Sequence, residues 1–163
     1  MPPPPEHRTD GVRFRGAIAA AGGAEFASGF GVGMGGLEGR LGVQINNLIG
    51  VYVQPHFSIG AGSVAGSTLS VVTGTAGVNG MVDFTFANRF FVGVGGGFGI
   101  LNNPIGPDIG IRLGAYPVFG YGENGFTRKG LMVGVETRIY FLSDASSSLT
   151  VAQVLGTIGY EVF

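Results

Sequence analysis

The chain contains no cysteine. That excludes a disulfide framework and any thiolate metal centre. Charge is scarce too: Asp, Glu, Lys and Arg make up 12% of its 163 residues, about half the usual share. The net charge of −1 provides no basic footprint for nucleic acid. Only two histidines occur, His7 and His56, with no cluster of metal ligands around either. Long hydrophobic runs are missing as well. The longest, Phe90 to Leu101, is 12 residues and holds several glycines, short of the ~18 or more that a membrane helix needs. Residues 1–10, MPPPPEHRTD, have neither the basic nor the apolar segment of a secretory signal. They read as a flexible Pro-rich lead-in, and export would require a signal already removed.

What is present is 45% hydrophobic residues and 33 glycines. High hydrophobicity without a long run is the composition of a membrane β-barrel, whose strands alternate lipid-facing and lumen-facing residues. Residues 11–163 read as one such domain.

The last stretch, Thr150 to Phe163, shows the alternation most clearly. Ala152, Val154, Gly156, Ile158, Tyr160 and Val162 form an apolar row, opposed by Gln153, Thr157, Gly159 and Glu161. A long terminal strand left unpaired is an aggregation template, so it should close against the first strand. That first strand starts near Val12. Asn46-Asn47 reads as a tight turn because Asn tolerates positive φ, and Ala87-Asn88-Arg89 as another. Pro55 removes one ladder donor from an otherwise continuous strand. Four segments read as loops: 21–34, 60–75, 101–108 and 142–148. The polar stretch Gly122 to Lys129 reads as a third turn at the opposite end. The pattern predicts an all-β fold, a closed antiparallel up-and-down transmembrane β-barrel of about eight strands, each of roughly ten residues.

The charges segregate by parity. Arg13, Arg15, Arg40, Arg112 and Arg138 fall on the inner face with Glu38, Asp83, Glu136 and Glu161. A charge on the lipid face near mid-membrane costs roughly 2–4 kcal/mol, and no charge falls on the outer face of these strands. A barrel of eight strands is filled by its own side chains, so nearly balanced Arg and carboxylate sets point to a plugged interior. The inward glycines Gly93, Gly95, Gly97 and Gly99 leave a strip that is either a cavity or space for side chains from the opposite wall. Aromatics fall at two levels, Phe86, Phe90 and Tyr160 near one end and Phe57, Phe98 and Phe141 near the other. These are the places of interfacial girdles.

On these features the chain resembles the small eight-stranded outer-membrane barrels of the OmpA, OmpX and opacity-protein type, over residues 11 to 163. The resemblance implies a bacterial outer membrane of the Gram-negative kind, both termini periplasmic, function in the outer loops, a monomer, the lipid bilayer as partner and no cofactor. That group closes on an aromatic residue with Tyr or an apolar residue two before it. Here Tyr160 lies three before Phe163, so Phe163 takes the inward parity unless a local bulge intervenes.

Three chemical readings remain. Gly31-x-Gly33-x-x-Gly36 and Gly60-x-Gly62-x-x-Ala65 match a nucleotide-binding pattern, but neither opens an amphipathic helix or has an acidic partner. His56-Phe57-Ser58 resembles the His-x-Ser pair of eight-stranded lipid A deacylases over three residues. In that family the pair faces lipid, whereas here His56 and Ser58 take the lumen parity, so no catalytic residue is assigned. The expected role is therefore non-enzymatic: a structural or surface-binding barrel that could take an extracellular ligand or protein at its loops. A narrow, porin-like conduit for small solutes is the alternative, and a lipid-modifying enzyme a more distant one.

Overall fold

The computed structural model describes residues 11–27, 30–64, 70–102, 104–122, 127–143 and 148–163. Eight antiparallel strands run β1 (Arg13–Ala27), β2 (Phe30–Gln44), β3 (Ile49–Val64), β4 (Ser70–Phe86), β5 (Phe90–Leu101), β6 (Ile105–Tyr121), β7 (Arg128–Ser143) and β8 (Ser148–Val162). Each pairs with its neighbour in sequence, and β1 pairs with β8 to close the ring. The terminal strand thus has no free edge: Gly16 to Phe26 of β1 pair with Ala152 to Val162 of β8.

The register fixes the geometry. The row Arg15, Gly42, Tyr52, Met81, Gly95, Gly110, Arg138, Gln153 passes once around the wall and returns to β1 at Glu25. A stagger of ten residues over eight strands corresponds to a tilt of about 40° and a backbone radius of about 8 Å. Such a ring leaves a lumen only as wide as the side chains that point into it.

The strands are longer than their alternation suggested. Within segments 21–34, 60–75, 101–108 and 142–148, residues 21–27, 30–34, 60–64, 70–75, 101, 105–108, 142–143 and 148 are strand. Runs of Gly and Ala hide the two-residue period because they have no side chain to mark a face, yet their backbone pairs without interruption from Ala20 to Ala27. Of the remainder of these loop readings, 28–29, 65–69, 103 and 144–147 lie outside the described residues, as do 123–126 and the lead-in 1–10. At the other end, Arg128 and Lys129 belong to β7, and the Gly122 N–H donates to the Thr127 carbonyl at 2.7 Å.

Local irregularities have local causes. Pairing between β2 and β3 skips Gly39 and Arg40, opposite Pro55, and resumes in the same register at Leu41 and Val53; the missing proline N–H is tolerated at no cost in register. One extra residue on β6 between Ala115 and Val118 makes a bulge beside Pro117, a position where proline costs no ladder bond. The turn after β2 is held by the Asn46 side chain, whose Oδ1 accepts from the N–H groups of Leu48 and Ile49 at 2.8 Å each. Positive φ is used instead after β4, at Ala87 (48°) and Asn88 (56°), where the Arg89 N–H donates to the Phe86 carbonyl at 2.9 Å. Residue Phe163 needs no bulge: β8 stays in register with β7 up to Val162, and the Phe163 ring lies inside, 1% exposed.

Candidate functional site: the lumen and the two apolar levels of the wall

The wall separates two chemistries. Outward positions carry Ile18, Leu41, Val53, Val94, Ile111, Leu113, Val135 and Ile158, all exposed. Inward positions carry nearly all the charge. Every one of Arg13, Arg15, Glu38, Arg40, Asp83, Arg112, Glu136, Arg138 and Glu161 is buried. Phe57, Phe86, Phe90, Phe98, Phe141 and Tyr160 are all on the outward face and exposed. Phe90 and Phe98 on β5 are eight residues apart, roughly 20 Å along the barrel axis at the rise and tilt above. That approaches the apolar band of a bilayer-spanning barrel, about 25 Å tall.

The lumen is layered. At the end where β1 begins, Phe163, Tyr116 and Phe119 surround the guanidinium of Arg128, whose Cζ lies 5.0, 4.9 and 4.2 Å from the respective ring centroids. Tyr116 also stacks at 5.2 Å on Phe91 and at 5.4 Å on Phe163. Flat cations between aromatic faces pack without needing a carboxylate on every edge.

Above this lies one connected network of four arginines and four carboxylates. Arg15 donates through Nε to Glu161 and through Nη2 to Asp83, at 2.7 Å each. Asp83 also accepts from the Tyr52 hydroxyl at 2.7 Å and lies 3.5 Å from Arg112. Glu161 accepts from the Tyr116 hydroxyl at 2.6 Å and reaches Arg40 at 3.4 Å. Arg40 donates to Glu38 at 2.5 Å, Arg138 to Glu38 at 2.8 Å and to Glu136 at 2.6 Å. The Gln54 amide bridges Glu38 and Glu136 at 3.0 and 2.8 Å. Buried charges survive only when paired and hydrogen-bonded, and here each carboxylate meets at least one guanidinium.

The third layer is polar without arginine. Glu25 accepts from Gln153 at 2.7 Å and Thr73 at 3.1 Å. Thr75 links Gln153 at 3.0 Å to Ser58 at 2.5 Å. Tyr140 joins Gln153 at 3.3 Å to His56 Nε2 at 3.1 Å, and Asp108 lies 4.0 Å from that nitrogen. Two apolar clusters, Leu101, Tyr140, Leu142, Val151 and Val32, Met34, Leu155, pack around and beyond it.

Three lumen charges escaped the sequence reading: Glu25, Asp108 and Arg128, all buried. Their parity was visible, since Glu25 shares that of Arg15, Asp108 that of Arg112 and Arg128 that of Arg138. Assigning their segments to loops and a turn removed them from the count. His56 and Ser58 do face the lumen, but Ser58 bonds to Thr75 and His56 to Tyr140. That arrangement does not activate the serine hydroxyl, which would need the imidazole as its base. No three His, Cys, Asp or Glu side chains come together as a metal site among the described residues.

At three of its four positions the inward glycine strip is met by side chains from β4, β6 and β7. A Cβ at Gly93 would meet Asp83 and Arg112, one at Gly95 the Met81 sulfur, and one at Gly99 the Tyr140 ring. Gly50 likewise faces Arg15 and Gln44, and Gly77 faces His56. Large side chains lie over glycines, which is how a narrow barrel accommodates guanidinium and phenol groups.

No protein-family model and no curated protein matches the chain. Solved structures do. The attachment invasion locus protein Ail of Yersinia pestis is similar at 15% identity and a TM-score of 0.59, covering 93% of this chain and 99% of that one. Neisserial surface protein A is similar at 12% identity and a TM-score of 0.56, covering 94% and 99%. Ail in complex with the heparin analogue sucrose octasulfate is similar at a TM-score of 0.60 and 14% identity. The fold is that of small eight-stranded outer-membrane barrels, closed and up-and-down.

Proposed function

We propose that the protein is an integral outer-membrane barrel, both termini periplasmic, that acts as a structural or surface-binding element through the end formed by 24–34, 59–76, 100–107 and 141–152. The observation that carries this reading is the lumen: four arginines and four carboxylates bonded across it, with Tyr140, Met81 and Asp83 filling the glycine strip. A filled lumen does not transport, so activity belongs to the outer surface. The charge-segregated wall and its two aromatic levels support the bilayer as the principal partner.

The outer end differs in chemistry from what a sulfated sugar needs. No Lys or Arg occurs at 24–34, 59–76, 100–107 or 141–152, so a polyanion such as the heparin analogue bound by Ail finds no cation here. The partner that fits is uncharged, an apolar or carbohydrate surface seated on strand ends rather than on long loops. Planar-bilayer recording tests the plug: the refolded protein should give no stable single-channel steps, and uniform steps would establish the conduit reading instead. Retention on heparin resin at low salt would overturn the uncharged-partner reading.

A further inference from the structure

We infer that the bilayer-facing wall carries a lipid-binding recess at Gly39 and Pro55, in which the hydroxyl of a hydroxylated acyl chain donates to the Gly39 carbonyl. The inference rests on the bilayer surrounding the wall and is independent of what the outer end binds.

One donor is missing from the ladder between β2 and β3. The Ile45 N–H donates to the Ile49 carbonyl at 2.8 Å, which sets the phase of that ladder: odd-numbered residues of β3 turn their N–H and C=O groups toward β2. In this phase the donor opposite the Gly39 carbonyl is the N–H of residue 55, and Pro55 has none. The break in pairing has the matching shape. Glu38 and His56 stay paired, which calls on the Gly39 N–H and the Pro55 carbonyl, whereas Gly39 and Arg40 are skipped. On its other side Pro55 keeps register with Val78 of β4, so the loss falls on the Gly39 carbonyl alone. No backbone N–H outside the ladders replaces the donor among the described residues.

The place of this carbonyl makes the loss expensive. Tyr160, Ile18 and Gly39 stand in direct register on β8, β1 and β2, and beyond Pro55 the same row continues through Val78 to Phe98. Tyr160 belongs to one aromatic level and Phe98 to the other, so Gly39 and Pro55 lie between them, at the depth of the hydrocarbon. Here every backbone polar group needs a partner, because lipid tails offer none. Gly39 and Pro55 line an outward recess of about 320 Å³, together with Ile18, Leu37 and Phe57. A water needs two to four polar neighbours, and these outward side chains are all apolar. An ammonium would carry its charge into hydrocarbon, and an amide would bring a second unpaired carbonyl. A hydroxyl on an acyl chain supplies one proton, stays uncharged and lays its chain against the apolar walls.

The test uses the whole protein refolded into nanodiscs of phosphatidylcholine, a lipid with no O–H or N–H donor of its own; refolding there checks the bilayer reading separately. Arg40 is the only arginine that follows a glycine. Glycine labelled at the carbonyl carbon and arginine labelled at nitrogen therefore give a single carbonyl–amide correlation in the NMR spectrum, that of the Gly39 carbonyl. Replacing part of the lipid with a phosphatidylcholine bearing one mid-chain hydroxyl should move this carbonyl resonance downfield in proportion to the hydroxylated fraction. Pro55→Ala puts back the missing N–H, so its resonance should lie at the bonded position in both lipids, with no fall in the unfolding midpoint. A parent resonance that does not move, or that already lies at the Pro55→Ala position in the plain lipid, overturns the proposal. If the variant fails to fold, movement or its absence in the parent decides.

Discussion

Arg15 and Asp83 stand 68 residues apart in the chain and meet in the lumen, Arg15 Nη2 donating to Asp83 Oδ2 at 2.7 Å with both side chains fully buried. The same guanidinium holds Glu161 at 2.7 Å, tying β1 at once to β4 and to β8. These contacts form only once the ring is closed. The charges that could not face lipid therefore report on correct closure.

Removing Arg15 should be costly out of proportion to one ion pair. Arg15→Ala leaves Glu161 with Arg40 at 3.4 Å and Tyr116, and Asp83 with Tyr52 and a distant Arg112. Stripping one partner from a buried pair costs about 3–5 kcal/mol. Urea unfolding in vesicles should show a loss of that size. Combining it with Glu161→Gln should cost less than the two single losses added, because the residues share a network. Additive losses would mean that the pair is not coupled.

The same reasoning applies to Arg138, which holds Glu38 and Glu136 together at 2.8 and 2.6 Å. Arg138→Ala should destabilise by a similar amount, with like charges then facing each other across the Gln54 amide. An unchanged urea midpoint would show that this part of the network carries no stability.

Much of this was legible before any coordinates. Period-two alternation at Val51 to Ser58 or Leu131 to Phe141 assigns each side chain a face, because a misplaced charge in lipid is expensive. It failed where the marker is missing. Through Ala20 to Ala24 there is almost no side chain to alternate, and at Gly31 to Met34 the apolar residues Val32 and Met34 point inward, opposite to the apolar-outward pattern of the other strands, so the sequence pattern reads as loop and leaves Glu25 out of the interior. The pairing of charges across the ring was not legible, since the partner of Arg15 depends on the register and stagger of all eight strands.

A charge added to the wall should be tolerated according to depth. Val94 lies on the outward face midway between Phe90 and Phe98, half exposed, and Val72 lies beyond the level of Phe98, 75% exposed. Val94→Arg should cost about 2–4 kcal/mol and Val72→Arg about 0–1. Refolding yield into vesicles and urea midpoints measure both. Equal, small costs in detergent-free buffer would place the apolar face against protein instead of lipid.

Phe163 provides a contrast at the other end of the lumen. Its ring is packed against Tyr116 and faces the guanidinium groups of Arg15 and Arg128 at 5.1 and 5.0 Å. Phe163→Ala removes a buried ring and should cost about 3–5 kcal/mol. Phe163→Leu restores most of the volume but neither the stacking nor the cation contact, and should still cost about 1–2 kcal/mol from the aromatic and cation contacts. If leucine rescues fully, the aromatic character of the site contributes nothing and only volume matters.

Glycines on the two faces should respond with opposite signs. Gly99 faces the lumen, where a Cβ would press within 2.8 Å of the Tyr140 ring, itself fixed by His56 and Gln153. Gly33 faces outward with nothing within 4 Å of a Cβ. Neither has a positive φ, so backbone conformation does not distinguish them. Overpacking typically costs about 1–3 kcal/mol, whereas alanine at an unstrained position gains about 0.4–1 kcal/mol by restricting the unfolded chain. Gly99→Ala should therefore lower the unfolding midpoint and Gly33→Ala should leave it unchanged or raise it. A harmless Gly99→Ala would mean that the strip above β5 is open space, and the conduit reading would regain its footing.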